Sequence, residues 1–238
     1  MSVFVLVHGG WGGGWQWRQV ADRLRKRGHD VFTPTLTGLG DRSHLTAVPV
    51  NLSLHVLDVV QLLYFEDVTD VVLVGWSYGG AVVDGVADVV PERLRHVINL
   101  DGEVVQEGRS LMDGWTDEAR SAMSEMLEQA GATGWIPAPT ADDLADVFDD
   151  PHFRAWIGER ERPQPLETDT EPYPDNGGRR FSVRHTFIRC ADDDWPEEPG
   201  VTALRKDGRW EFRELPLNHL GLLYAPDLVA EALNELAQ

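Results

Sequence analysis

Apolar positions alternate between two periods along the first hundred residues. Val3 to Val7 is an unbroken apolar run, which predicts a buried strand. Residues 17–27 carry Val20 and Leu24 on one side and Arg18, Arg23, Arg25, Lys26 and Arg27 on the other, an amphipathic helix that Gly28 ends. A second strand is expected over 29–33, broken by Pro34. A helix is expected over 54–65, capped by Ser53, with Leu54, Leu57, Val60 (or Gln61) and Tyr64 on its inner face. Val71-Val72-Leu73-Val74 predicts the third strand, 81–90 the next helix and 96–100 the fourth strand. Strand and helix in alternation imply parallel strands joined by right-handed crossovers.

From about 103 to 180 the alternation lapses. Two amphipathic pieces, 116–130 and 140–148, are separated by Gly- and Pro-rich sequence, and a Pro- and acid-rich stretch follows. So long an insertion within a parallel sheet reads as a cap over the ligand end of the strands. Met112, Met123, Met126, Trp115, Trp135 and Trp156 are its candidate pocket lining, each equally readable as core packing. The alternation resumes with strands over 184–190 and 210–215 and a final helix from Pro226 to about 236. The expected fold is therefore a single α/β domain spanning 1–238: a mostly parallel twisted sheet with helices on both faces and a helical cap insertion.

Composition narrows the function. With 21 basic and 40 acidic residues the formal charge is −19, which disfavours nucleic acid, anionic membrane surfaces and polyanionic substrates as partners. No run approaches the ~20 apolar residues of a membrane span. The first residues lack a basic lead-in and a cleavage site, and read as a strand rather than a signal core. Cys190 is the only cysteine, so an internal disulfide is impossible and a cytoplasmic protein is the simplest expectation. The expected partner is a small-molecule substrate, with a homodimer left open.

The densest chemistry lies in Gly75-Trp76-Ser77-Tyr78-Gly79-Gly80, directly after the third strand and directly before a helix. Strand, Gly-x-Ser-x-Gly and helix in that order make the context of a nucleophile elbow, in which a sharp turn exposes the serine hydroxyl. The glycines two residues either side leave room for the turn, and the helix N-terminus aims free N–H groups at the reacting centre. Earlier, five of the six residues 9–14 are glycine, interrupted by Trp11. This run lacks the Gly-Lys-Ser/Thr ending of a phosphate loop and a clean dinucleotide spacing, so it reads better as an oxyanion loop.

A serine hydroxyl needs a base, and the base an orienting acid. His219 is the only histidine late enough in the chain and in a strand-to-helix loop. His29 and His55 read as surface or helix positions, His44 and His152 as loop, His96 and His185 as strand starts, and His8 as a shaper of the glycine loop. Two sites compete for the acid. One is Asp101, fixed at the end of a buried strand. The other is Asp193, or Asp192 if that loop is one residue tighter, among like charges whose repulsion favours solvent.

Taken together, His8-Gly9-Gly10 with Trp15 and Trp17, residues 35–45, the Ser77 motif, Leu100-Asp101-Gly102, Pro163-Gln164-Pro165-Leu166 and Asn218-His219 resemble the α/β-hydrolase superfamily. Within it the chain is similar to the small esterases related to plant methyl esterases, hydroxynitrile lyases and a bacterial carboxylesterase branch. The resemblance implies a carboxylic ester hydrolase without a cofactor or metal, with the backbone N–H groups of Gly10 and Tyr78 as the oxyanion hole. It also favours Asp101, because the bacterial branch most often carries Leu-Asp there. Trp76 stands where relatives usually have His, Gly102-Glu103 replaces Ala-Phe, and Leu220-Gly221-Leu222 replaces Asp-Ala-Met. These changes reshape the pocket, for which Trp11, Trp76 and Leu220 are the expected substrate-binding residues.

The reading that follows is a serine esterase acting on esters, lactones or thioesters of small, largely apolar substrates. Its rivals are a non-hydrolytic cyclase or lyase on the same fold and a slow-turnover receptor-like protein. The lyases of the resemblance have Thr after the loop histidine and Lys after the catalytic one, where this chain has Gly9 and Leu220.

Overall fold

The computed structural model describes residues 1–131, 134–192 and 199–238. The chain begins with β1 (Val3–Val7), α1 (Arg18–Lys26), β2 (Asp30–Phe32), α2 (Leu52–Phe65), β3 (Val71–Trp76), α3 (Gly79–Val89) and β4 (Leu94–Leu100). The segment between β4 and the next long strand holds α4 (Leu111–Gly114), α5 (Asp117–Ala130), β5 (Trp135–Ile136), α6 (Pro151–Gly158), β6 (Gln164–Pro165) and α7 (Glu167–Thr170). Then come β7 (Arg184–Cys190), α8 (Pro199–Lys206), β8 (Trp210–Leu215), α9 (Gly221–Tyr224) and α10 (Pro226–Leu236). Six strands form one sheet in the order β2-β1-β3-β4-β7-β8, and every neighbouring pair is parallel. β5 and β6 pair antiparallel as a separate ribbon.

The two faces of the sheet follow from the period of two along each strand. Phe4 and Leu6 of β1 and Val72 and Val74 of β3 point to one side, where they pack with Val20 and Leu24 of α1 and Val229 and Leu233 of α10. Val5, Val7, Val71 and Leu73 point to the other, against Val56, Val59 and Leu63 of α2 and Val82, Val83 and Val86 of α3. Both faces being covered explains why these strands read as continuous apolar runs. It also leaves the C-terminal ends of β1, β3 and β4 at one edge, the place where open parallel sheets hold ligands.

Three expectations are corrected. Asn51, not Ser53, caps α2, its side chain accepting from the Leu54 N–H. The inner face of that helix is Leu52, His55, Val56, Val59 and Leu63, while Leu57 and Tyr64 are 47% and 62% exposed. The helix carries apolar residues nearly all round, so spacing alone did not single out the face that meets α3. Residues 141–147 are a series of turns rather than a helix, with Thr140 and Asp143 bonding each other locally. α6 and α8, both short, were not anticipated.

A second buried polar group lies away from the sheet's ligand edge. Asp88 on α3 accepts from the Arg180 guanidinium, from the Arg180 N–H and from the Tyr173 hydroxyl. One turn earlier, Asp84 faces His185 on β7 at 3.9 Å. Burial raises the Asp84 carboxyl to about 7 and lowers the His185 imidazole to about 4.

Candidate active site

The turn between β3 and α3 places Ser77 in the left-handed backbone region, at φ 54°. A non-glycine residue there is strained, and the surroundings must hold it. They do so through the Ser77 N–H, which donates to the Leu100 carbonyl at 3.3 Å, and the Ser77 carbonyl, which accepts from the Gly80 and Glu103 N–H groups. The flanking glycines are steric necessities. A Cβ on Gly75 would lie 2.2 Å from the Gly79 carbonyl oxygen, and one on Gly79 would lie 2.7 Å from the carbonyl oxygens of Val7 and His8. The spacing of the motif is thus set by how closely the elbow approaches itself and the end of β1.

His219 follows β8 and bridges two other strand ends. Its Nε2 lies 3.0 Å from Ser77 Oγ and its Nδ1 2.8 Å from Asp101 Oδ2. Asp101 sits immediately after β4, again in the left-handed region (φ 46°). Its N–H donates to the Ile188 carbonyl at 2.7 Å, and its Oδ1 accepts from the Cys190 N–H at 3.1 Å. The carboxylate is therefore fixed by the neighbouring strand on one oxygen and free to meet the imidazole with the other. Of the competing acids, Asp192 is exposed, its N–H bonded to the Leu217 carbonyl, and Asp193 lies outside the described residues.

The glycine loop after β1 is held by His8. The Leu36 N–H donates to His8 Nε2 at 3.0 Å, so the ring carries its proton on Nδ1 and donates it to the Gly9 carbonyl at 2.7 Å. Burial keeps this imidazole neutral, with its pKa pushed down to about 4. The Gly9 carbonyl shares a peptide plane with the Gly10 N–H, so the histidine also fixes the direction of that N–H. Tyr78 turns its side chain the other way, into the core. His55 Nε2 donates to the Thr37 carbonyl, which leaves Nδ1 to accept from the Tyr78 hydroxyl at 2.9 Å. His55 lies on α2, and of the surface or helix reading it is the helix that holds, since the residue is fully buried.

A cavity of about 530 Å³ opens over these groups. Ser77, Asp101 and His219 form its floor; Trp11, Leu111, Trp115, Ala119, Phe187 and Val201 give it apolar walls; Glu103, Gln106 and Arg189 add polar ones. Leu111, Trp115 and Ala119 belong to the segment between β4 and β7, which therefore covers the strand ends. Of the expected substrate-binding residues, Trp11 lines the cavity, whereas Trp76 and Leu220 do not. Trp76 is 3% exposed, its indole packs 5.4 Å from the His219 ring, and its Nε1–H donates to the His219 carbonyl at 2.9 Å. As the last residue of β3 its side chain points into the sheet's α1/α10 face, under the histidine rather than toward substrate. Leu220 packs against the same cluster. Of the insertion's candidate lining only Trp115 reaches the cavity; α5, which carries Met123 and Met126, has no fully buried side chain. Glu103 is one of the changes expected to reshape the pocket; Gln106 and Arg189 were missed, because a lone polar residue in a loop or near a strand end gives no periodic signal.

Among the described residues no cluster of His, Cys, Asp or Glu could hold a metal ion, and no helix is long and apolar enough to cross a membrane. Residues 4–232 match the model of the alpha/beta hydrolase family. A carbendazim hydrolyzing esterase from Nocardioides sp. (strain SG-4G) is 35% identical over 99% of this chain and 100% of its own length. Among solved structures, an extracellular alpha/beta-hydrolase from a Paenibacillus species, described as sharing structural and functional homology with tobacco Salicylic Acid Binding Protein 2, superposes with a TM-score of 0.85 at 24% identity. It covers 100% of this chain and 99% of that one. Polyneuridine aldehyde esterase superposes with a TM-score of 0.76 at 18% identity, each chain covered in full. With the parallel six-stranded sheet, the elbow at the end of β3 and a family match over nearly its whole length, the chain belongs to the α/β hydrolase family.

Proposed function

We propose that this protein hydrolyses carboxylic esters of small, largely apolar substrates through an acyl-enzyme on Ser77. The observation that carries the reading is the position of His219, 3.0 Å from Ser77 Oγ on one side and 2.8 Å from Asp101 Oδ2 on the other. His219 takes the hydroxyl proton as Ser77 Oγ attacks the ester carbonyl, and Asp101 holds the imidazole by its Nδ1–H and stabilises the imidazolium. The carbonyl electrons move onto oxygen, where the N–H groups of Gly10 and Tyr78 receive the charge, each such donor being worth roughly 10²–10³ in rate. Collapse expels the alkoxide, which takes the proton from His219 and leaves as the alcohol. Water then repeats the sequence on the acyl-serine and releases the acid. No step needs a cofactor or a metal.

The full-length esterase relative supports hydrolysis over cyclase or lyase chemistry and over a slow-turnover receptor. The apolar cavity walls favour uncharged acyl and alcohol groups. The segment over about 103–180 acts as the cap that shapes this cavity. The single cysteine favours a cytoplasmic setting, and the acidic surface argues against nucleic-acid or membrane partners.

The test is a screen of short acyl esters, lactones and carbendazim with wild type and Ser77→Ala, paired with intact mass after a serine-directed phosphonate. One adduct on wild type and none on the variant, with turnover lost in parallel, is expected. Full turnover or a persistent adduct in Ser77→Ala overturns the reading.

A further inference from the structure

The segment that covers the cavity also reaches beneath it to the glycine loop. Trp11 has φ 59°, a left-handed conformation that a tryptophan does not adopt unaided. Both backbone polar groups of Trp11 are held from outside the loop: its N–H donates to Gln164 Oε1 at 3.2 Å, and its carbonyl accepts from the Arg162 N–H at 2.8 Å. Gln164 is 2% exposed and is itself clamped, its Nε2 donating to Thr168 Oγ1 at 2.8 Å. Thr168 is fully buried, and its hydroxyl lies 2.6 Å from the Pro165 carbonyl oxygen. The amide of Gln164 is thus spent at both ends, and neither end faces the cavity wall.

Gly10 lies between two peptide planes. His8 holds the first through the Gly9 carbonyl; the second is held within the loop by the Gly12 N–H, which donates to the Gly10 carbonyl at 2.6 Å, and from outside the loop by Gln164, which accepts from the Trp11 N–H. Without Gln164 the second plane would be held only by the loop's own tight turn, and rotation about the Gly10 backbone bonds would let Trp11 shift from its left-handed conformation and carry Gly10 with it. We propose that Gln164 is a positioning residue for the oxyanion hole: by fixing the Gly10–Trp11 peptide from the covering segment, it keeps the Gly10 N–H aimed at the reacting carbonyl oxygen. The proposal rests on the assignment of Gly10 to the oxyanion hole above. It also makes rate depend on how residues 162–168 are docked, although none of them lines the cavity.

Gln164→Leu keeps the bulk and removes both hydrogen-bonding ends. It should lower kcat about tenfold to a hundredfold, short of the full loss of a donor, with KM changed less than about threefold. The inhibition constant of a trifluoromethyl ketone, which forms a tetrahedral adduct on serine, should rise by the same factor. Gln164→Glu keeps an acceptor for the Trp11 N–H and should recover most of the loss. A merely structural role would lower the melting temperature and the active fraction while leaving kcat per phosphonate-titrated site and ketone affinity unchanged, and that result overturns the proposal. If Gln164→Leu does not fold, Thr168→Val, which frees the far end of the amide, must show the same paired loss in kcat and ketone affinity at smaller size, and an unchanged pair overturns it. If Ser77→Ala retains turnover, the hydrolase reading itself fails; if Ser77→Ala is dead and Gln164→Leu matches wild type, only the role of Gln164 falls.

Discussion

Asp101 Oδ2 meets His219 Nδ1 at 2.8 Å from the end of β4, while the other oxygen of the same carboxylate is tied to the Cys190 N–H at the end of β7. Asp101 thus stands one strand earlier in the sheet than Asp192, which follows β7, yet it is braced by β7 itself. With its Nδ1–H donated to Asp101, the His219 ring presents an unprotonated Nε2 to Ser77 Oγ, 3.0 Å away.

Replacing this acid should therefore be costly. Asp101→Asn is expected to lower kcat by something on the order of 10⁴ with little change in KM, because the amide can present an N–H to the imidazole and favour the wrong tautomer. Asp192→Asn, at an exposed position, should stay within about twofold of wild type. Steady-state kinetics on the two variants decide the matter, and the reverse pattern would move the acid to the later loop.

Trp76 supports His219 from below through its Nε1–H bond to the histidine carbonyl. Trp76→Phe keeps an aromatic ring under the imidazole but removes that hydrogen bond. A loss of about one hydrogen bond, on the order of 1 kcal/mol, predicts kcat threefold to tenfold lower with KM unchanged. A change confined to KM would instead make Trp76 a substrate contact.

Cyanohydrin cleavage should be absent. A Cβ on Gly9 would stand 3.0 Å from both Ser77 Cβ and the Trp76 ring, so this loop has little room for the threonine the lyases carry there. Leu220 offers no positive charge to hold cyanide. Cyanide release from mandelonitrile at the rate of the enzyme-free control is the expected outcome, and release well above it would refute the assignment.

The buried pair on α3 and β7 predicts a pH signature in stability. The Asp84 carboxyl is raised to about 7 by burial, against the opposing pull of Arg180. The folded state therefore binds this proton more tightly than the unfolded one, so its stabilising contribution is complete below about pH 4 and is lost as pH rises toward 7. Asp84→Asn is neutral throughout and removes that dependence. Its melting temperature relative to wild type should rise between pH 5 and pH 8; a constant difference would show that Asp84 is already ionised in the fold.

The sequence alone determined the chain order of the six strands of the main sheet and pointed to two members of the hydrogen-bonded relay, Ser77 and His219. Apolar runs such as Val71-Val72-Leu73-Val74 have one stable use in a chain this long, and Gly-x-Ser-x-Gly fits only a turn whose flanking residues have no room for Cβ atoms. Tertiary structure alone decided which face of α2 is buried, because an almost wholly apolar helix carries no directional signal. It brought Asp101 within hydrogen-bonding reach of His219, which depends on where the end of β4 lies relative to the loop after β8. It also turned Trp76 from a pocket residue into a support for the histidine, and tied Gln164 to a loop more than 150 positions earlier in the chain. Such contacts lie between residues remote in sequence, and their geometry is set by how the sheet twists and how the covering segment packs, which no local pattern encodes.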